Sequence, residues 1–198
     1  MHVIKRCFDI AVSAIGLALC SPLFLVVAAL IKWDSKGPVF FKQERMGKNF
    51  RPFYIYKFRS MVRDAPEKGA MISVTNDSRI TWVGSVLRKT KVDELPQLIN
   101  VLKGEMSLVG PRPEVPKYVQ LFRIDYEEIL RVPPGLTDLA SLKYRDEATI
   151  LAQSENPEEA YLKRVLPDKI KLAKEYIRRS SFLFDLSLIL RTPLRLFG

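Results

Sequence analysis

An α+β fold is predicted, with an apolar N-terminal hook ahead of a mainly helical, basic globular domain carrying one small β-hairpin. Three observations predict it. From Ile10 to Ile31 run 22 residues without a charge, 18 of them hydrophobic. Residues 39–59 read as two aromatic, β-branched strands around a Gly/Asn turn. Beyond residue 79, apolar side chains recur at helical spacing between Pro and Gly punctuation. The division is residues 1–36 for the hook and 37–198 for the globular part, long enough to bury a core. Lys and Arg number 32 against 22 Asp and Glu, a net charge of +10 that favours an anionic partner such as a lipid surface or nucleic acid.

Several chemistries are excluded. The single histidine, His2, leaves nothing from which to build a Ser-His-Asp triad or a His-rich zinc site. The two cysteines, Cys7 and Cys20, lie in or beside the apolar run without metal-ligand spacing, and they make no disulfide framework. No GxxxxGK[ST] loop and no GxGxxG turn occurs.

The hook would extend about 33 Å as a straight helix, about one hydrocarbon thickness. Ser21-Pro22 sits at its midpoint, where proline removes a backbone donor and the serine hydroxyl can satisfy a freed carbonyl. Both flanks are basic: Lys5 and Arg6 before, Lys32 and Lys36 after. A spanning helix puts only one flank on the cytoplasmic side; a helix-break-helix hairpin that re-enters the same leaflet puts both there. The hairpin is preferred on that ground, with a Pro-kinked span, a signal peptide and a buried core helix as alternatives.

In the globular part, the strands are Val39–Gln43 and Phe53–Arg59, with Lys57 and Arg59 on one face by period-two alternation. Residues 64–78 read as a loop and residues 79–89 as a short helix. Thr90 is expected to cap the next helix, with Asp93 completing a capping-box pattern; Leu95, Leu98, Ile99 and Leu102 give its apolar stripe and Gly104 its stop. Pro96 is tolerated only in a first turn, which places Asp93-Glu94 at or beside the N-terminus. Gly110-Pro111-Arg112-Pro113 forms a stiff loop holding one arginine. Helices are expected over residues 114–131 and within 157–179, and Phe182 to Phe197, with Arg191 and Arg195, reads as an interfacial amphipathic piece.

Asp93 and Glu94 stand out chemically. Two carboxylates at a helix start can be simple partners of its dipole. Here they keep company with Arg88 and Arg112, while Lys57, Arg59 and Arg145 lie elsewhere in the chain. Cations around a carboxylate pair suit a phosphate substrate held beside a nucleophile or metal ligand, and arginine grips phosphate through paired hydrogen bonds.

The residues also carry a resemblance. The runs Asn76-Asp77-Ser78-Arg79-Ile80-Thr81, Asp93-Glu94-Leu95-Pro96-Gln97-Leu98, Asn100-Val101-Leu102-Lys103-Gly104 and Met106-Ser107-Leu108-Val109-Gly110-Pro111-Arg112-Pro113 resemble the bacterial sugar transferases. These are the monotopic phosphoglycosyl transferases that begin membrane glycoconjugate assembly. Lys5-Arg6, Phe8-Asp9, Ser21-Pro22, Pro38-Val39-Phe40-Phe41 and Tyr56-Lys57-Phe58-Arg59-Ser60-Met61 fit the same pattern.

The resemblance implies a re-entrant membrane helix on the cytoplasmic face of the bacterial inner membrane. It implies a magnesium-dependent transfer of phosphosugar from a UDP-sugar to undecaprenyl phosphate, releasing UMP. Asp93 matches the nucleophile that becomes an aspartyl phosphosugar, and Glu94 its dyad partner. Both are expected to be available to magnesium, with Arg88, Arg112, Lys57, Arg59 and Arg145 expected on substrate phosphates. On physical grounds, the helix N-terminus and the surrounding cations are expected to keep Asp93, facing the arginines, ionised at neutral pH. Inner-membrane lipid is an implied partner, nucleic acid is not, and a homodimer is admitted. Against this stands a membrane-docked basic protein that binds nucleic acid or anionic lipid without catalysis. One stretch departs from the resemblance: many relatives carry Gly-Leu-Ala-Gln-Val-x-Gly-Arg after the Pro-Gly turn, where this chain has Gly135-Leu136-Thr137-Asp138-Leu139-Ala140-Ser141-Leu142-Lys143-Tyr144-Arg145; Arg145 keeps its place, but Asp138, Ser141 and Tyr144 differ.

Overall fold

The computed structural model of the chain describes residues 2–65, 72–75 and 77–197, with side chains from residue 3 to residue 192. Asn76 and the side chain of Arg195, both named above, lie outside the described residues.

The hook is helix α1, His2–Asp34. Its helical pattern runs through Ser21-Pro22 without interruption, so the expected two arms with non-helical residues between them are not seen. The reason is local. Pro22 cannot donate to the carbonyl of Ala18, and Ser21 Oγ donates to that carbonyl instead, at 2.8 Å. α1 is long and apolar enough to cross a membrane, yet only 11% of its most apolar window is buried against the protein. Leu19, Leu25 and Trp33 are each more than three-quarters or about three-quarters exposed (76%, 75% and 79%).

Both halves of α1 nevertheless grip the same globular domain. Near its start, Lys5 donates to the Val109 carbonyl and pairs with Asp185, while Arg6 donates to the carbonyls of Val101 and Leu102. One turn on, the buried Asp9 accepts from Ser107 Oγ at 2.8 Å and from the Leu108 N–H at 3.2 Å. Near its end, Asp34 accepts from the Val83 N–H at 3.0 Å, and Phe24, Val27 and Ile31 pack on Phe58, Val83 and Leu87. Burying side chains as completely as Ile31 and Phe58 stabilises the junction by about 1.5–3 kcal/mol each.

Strands β1 (Phe40–Met46) and β2 (Pro52–Phe58) pair antiparallel from Phe40↔Phe58 to Met46↔Pro52. The expected turn is a short 3₁₀ segment, Lys48–Phe50, with Asn49 at φ 55°. Helix α2 (Trp82–Thr90) begins where Thr81 accepts from the Gly84 N–H, and it lies so close to the exit of β2 that a Cβ on Gly84 would fall 2.0 Å from the Ser60 carbonyl oxygen. A 3₁₀ segment, Val92–Gln97, leads into α3 (Leu98–Lys103), which ends at Gly104 with φ +84°, as its stop signal predicts. Strand β3 (Ser107–Val109) pairs in parallel with β4 (Gly135–Thr137).

The expected helix over 114–131 is two helices, α4 (Pro116–Leu121) and α5 (Arg123–Ile129), because Phe122 leaves the helical region. Helices α6 (Leu139–Lys143), α7 (Glu147–Ala152) and α8 (Pro157–Ala160) follow. A π-helical turn at Tyr161–Val165 joins α8 to α9 (Leu166–Arg179), so the segment predicted over 157–179 is helical throughout. α10 (Phe182–Phe197) closes the chain; Leu188 and Asp185 face inward while Leu183 and Leu190 are exposed. One core cluster joins Met46 to α4, α5 and α9; a second joins Phe53 and Ile55 to α3, β3 and α10, with Phe8, Val12 and Leu17 of α1 packed against it.

Candidate active site

The site is built on β2 and on the 3₁₀ segment that lies beside it. The buried Asn100 fixes that juxtaposition. Its Oδ1 accepts from the Tyr56 N–H at 3.1 Å, and its Nδ2 donates to the Tyr54 carbonyl and to Glu105, both at 2.7 Å. The side chain thus continues the ladder of β2 into α3, with its amide satisfied on both ends.

The local geometry before Asp93 differs from the expectation. Thr90 ends α2 and turns its hydroxyl back to the carbonyls of Val86 and Leu87, so no capping box forms. Lys91 takes a left-handed conformation, φ 58°, and reverses the chain. Asp93 and Glu94 then fall in the first turn of the 3₁₀ segment, one turn before α3.

The two adjacent carboxylates have different surroundings. Glu94 is a charge hub. Its Oε1 accepts from Lys57 Nζ at 2.6 Å and from Arg112 Nη2 at 2.7 Å, while Arg112 Nη1 lies 3.5 Å from Oε2. Burial is the largest influence on Glu94 and would raise its pKa, but Arg112 and then Lys57 together hold the carboxyl well below the usual range. Reciprocally, Glu94 strengthens the charge on Arg112, against the cost of burial. Lys57 is pushed below the usual lysine range, because its burial outweighs the attraction of Glu94.

Asp93 is only 7% exposed, and its Oδ1 has no hydrogen-bond partner among the described residues. Burial, the largest influence, lifts its pKa above the ordinary aspartate value; Glu94 adds to the rise, and Lys57, Lys91 and Arg88 oppose it. Arg112 faces Glu94 rather than Asp93. A carboxyl raised this way is more basic, and an oxygen left bare is open to an incoming electrophile or cation. On the same short segment Gln97 is also buried, with an Nε2 that donates to no described partner.

Of the sequence-predicted residues, the structure gathers Asp93, Glu94, Lys57 and Arg112, and it places Arg88 within electrostatic reach of Asp93. Arg59 is a correction. Its guanidinium is buried at the end of α1, where it donates to the carbonyls of Ser35 at 2.7 Å and Lys36 at 2.9 Å, and to Ser35 Oγ at 2.9 Å. Period-two alternation could not foresee this, because β2 ends at Phe58 and the α1 terminus supplies acceptors there. Arg145 lies in the turn between α6 and α7.

Among the described residues no group of three or more metal-ligating side chains occurs. Magnesium commonly takes one or two protein carboxylates and completes its shell with water and substrate phosphate. The bare Asp93 Oδ1 fits such a shared ion; Glu94, its Oε1 committed to two cations, fits it less well.

The site thus sets a carboxylate with an unpartnered oxygen next to a glutamate that holds one lysine and one arginine. The chain belongs to the bacterial sugar transferase family, whose family model matches residues 1–198. It is 48% identical over 144 residues to the UDP-N-acetylgalactosamine-undecaprenyl-phosphate N-acetylgalactosaminephosphotransferase of Aeromonas hydrophila, covering 70% of this chain and 34% of that protein. It is 40% identical over 194 residues to the UDP-glucose:undecaprenyl-phosphate glucose-1-phosphate transferase of Klebsiella pneumoniae, covering 96% of this chain and 39% of that one. Exopolysaccharide production protein ExoY of Rhizobium meliloti is 36% identical over 203 residues, covering 95% of this chain and 83% of its own length. The chain therefore spans only about a third of the Aeromonas relative and two-fifths of the Klebsiella one.

Proposed function

We propose that this protein transfers a phosphosugar from a UDP-sugar to undecaprenyl phosphate, releasing UMP and forming undecaprenyl-diphospho-sugar for polysaccharide or related glycoconjugate synthesis. The observation that carries this reading is the bare Asp93 Oδ1 beside the Lys57–Glu94–Arg112 cluster, in a chain whose relatives are named for such transfers. An Asp93 oxygen attacks the sugar-bearing phosphorus of the donor. The bond from that phosphorus to the bridging oxygen breaks, and UMP leaves with the electron pair. A phosphate oxygen of the lipid acceptor then attacks the aspartyl phosphosugar, and the Asp93 carboxylate is released. Arg112, Arg88 and Lys57 bind the non-bridging oxygens and spread their charge, which is most of what phosphoryl transfer asks of a protein. Glu94 holds Lys57 and Arg112 in place. Magnesium, when bound, adds further neutralisation of the donor diphosphate.

A same-side arrangement of α1 in the cytoplasmic leaflet belongs to the reading. Lys5 and Asp34 are 29 residues apart, about 43 Å along a straight helix, and both bond to the one domain. A bilayer core of about 30 Å cannot lie between them unless the domain is on both sides.

With undecaprenyl phosphate, magnesium and a panel of UDP-sugars, the protein should release UMP and not UDP. Asp93→Asn should lower kcat by more than about a thousandfold. Undiminished turnover in Asp93→Asn would overturn the covalent route, and UDP release would overturn the reaction class.

A further inference from the structure

Asp138, Ser141 and Tyr144 were the positions where this chain leaves the pattern it otherwise resembles. Two of them form one unit in the structure. Asp138 is buried and caps α6, its Oδ1 accepting from the Ser141 N–H at 2.8 Å. The same Oδ1 accepts the Ser141 hydroxyl proton in a short hydrogen bond. With that proton committed, Ser141 Oγ turns only lone pairs outward, and Arg112 Nη1 lies 3.5 Å away as the donor.

Arg112 is thus bracketed. One amino group, Nη2, is bound firmly to Glu94; the other, Nη1, is shared over long distances between Glu94 Oε2 and Ser141 Oγ. The side chain keeps a third of its surface exposed, so it is not wholly enclosed by the protein. A guanidinium recognises phosphate through two parallel hydrogen bonds, and this requires its plane to be fixed about the long side chain. Pro111 and Pro113 stiffen the backbone but leave the side-chain torsions free.

We propose that Ser141, oriented by Asp138, is a positioning residue that sets the guanidinium plane of Arg112 for the diphosphate of the donor. The proposal rests on the transferase reading above. The cap of α6 uses the Ser141 backbone N–H and not its hydroxyl. Ser141→Ala therefore removes the tether while leaving the cap, and Ser141→Thr restores a hydroxyl.

A double-mutant cycle with Arg112→Lys tests it, because lysine has no plane to orient. Ser141→Ala alone should raise KM for the UDP-sugar and lower kcat/KM by about tenfold, with Ser141→Thr recovering most of the loss. In the Arg112→Lys background the same change should cost less than about twofold. Equal losses in both backgrounds, or a fall in thermal midpoint that accounts for the loss, would overturn the proposal. A parallel titration with inorganic pyrophosphate and magnesium, followed by calorimetry, does not depend on turnover. Were no donor in the panel used by the unaltered protein, the transferase reading would fail. Weaker pyrophosphate binding on Ser141→Ala with arginine at 112, and none with Arg112→Lys, would still uphold the tether. Pyrophosphate binding indifferent to Ser141→Ala in both backgrounds would reject it.

Discussion

The most apolar segment of this molecule is also among its most exposed, while its densest charge cluster is largely withdrawn from the surface around the buried Asp93. Along α1, leucines and a tryptophan stand in the open, whereas Asp93, Glu94, Lys57 and Arg112 are folded together between β2 and the 3₁₀ segment. In a protein surrounded by water on every side both arrangements are costly. They become consistent when the exposed apolar surface meets hydrocarbon and the buried charges await a polyanion. The contrast also separates two kinds of attachment. Lys5, Arg6 and Asp9 give the first turns of α1 several charged bonds to the domain, beside the packing of Phe8 and Val12, while the last turns rest on Phe24, Val27 and Ile31 with one carboxylate bond from Asp34.

The sharpest way to break this comparison is topological, and the outcome is all-or-none. With Cys7 and Cys20 replaced by serine, cysteines introduced as Ile4→Cys and Lys36→Cys should both be labelled from the cytoplasmic side. Labelling from opposite sides would make α1 a spanning helix and detach one of its two contacts. The buried charges are tested next. Glu94→Gln strands Lys57 and Arg112 without their shared carboxylate, and should lower unfolding free energy by about 3 kcal/mol in thermal or denaturant melts. A loss below about 1 kcal/mol would mean that the cluster is solvated and not buried in any energetic sense.

The pH dependence sharpens the contrast between the two carboxylates. Glu94 has a depressed pKa in the folded state, so its stabilisation is complete above the unfolded value near 4.5 and disappears as pH falls through the lower folded value. Asp93 is shifted the other way, and the acid limb of kcat/KM should lie above the ordinary aspartate value of 3.8. Since the Lys57 charge lowers the Asp93 pKa, Lys57→Met should move that limb to still higher pH; a limb that stays put or falls would show that Lys57 does not act on Asp93. The smallest expected effect is in the hook. Ser21→Ala orphans the Ala18 carbonyl and should cost about 1 kcal/mol in nanodiscs, whereas Ser21→Thr should be near neutral.

Much of this was legible from the residues. Gly104 as a helix stop, the Phe40–Phe58 hairpin, α2 and the helix over 157–179 all follow from punctuation and periodicity, which are local properties. The pairing of Ser21 with the proline-freed carbonyl was legible for the same reason: donor and acceptor lie three residues apart. Asp93 and Glu94 were found through their position before Pro96 and through the cations nearby in sequence. Thr90 misled, because a threonine at a helix end can bond backward to carbonyls as readily as forward to N–H groups. Arg59 misled because its destination, the end of α1, is more than twenty residues away. Asn100 appeared only as part of a pattern; its part in joining α3 to β2 depends on a contact 46 residues distant.

The sequence by itself determined most of the longer helices, which segment is apolar enough for lipid, and which acidic pair sits among basic residues. Those properties reside in neighbouring residues, and short-range sterics, hydrogen bonding and hydration decide them. Only the tertiary structure decided that Glu94 takes both Lys57 and Arg112, that Asp93 keeps a bare oxygen, and that both ends of α1 return to one domain. Those outcomes turn on which distant side chains share a low-dielectric space, where burial and charge compete at a few ångströms and the winner depends on the packing around them.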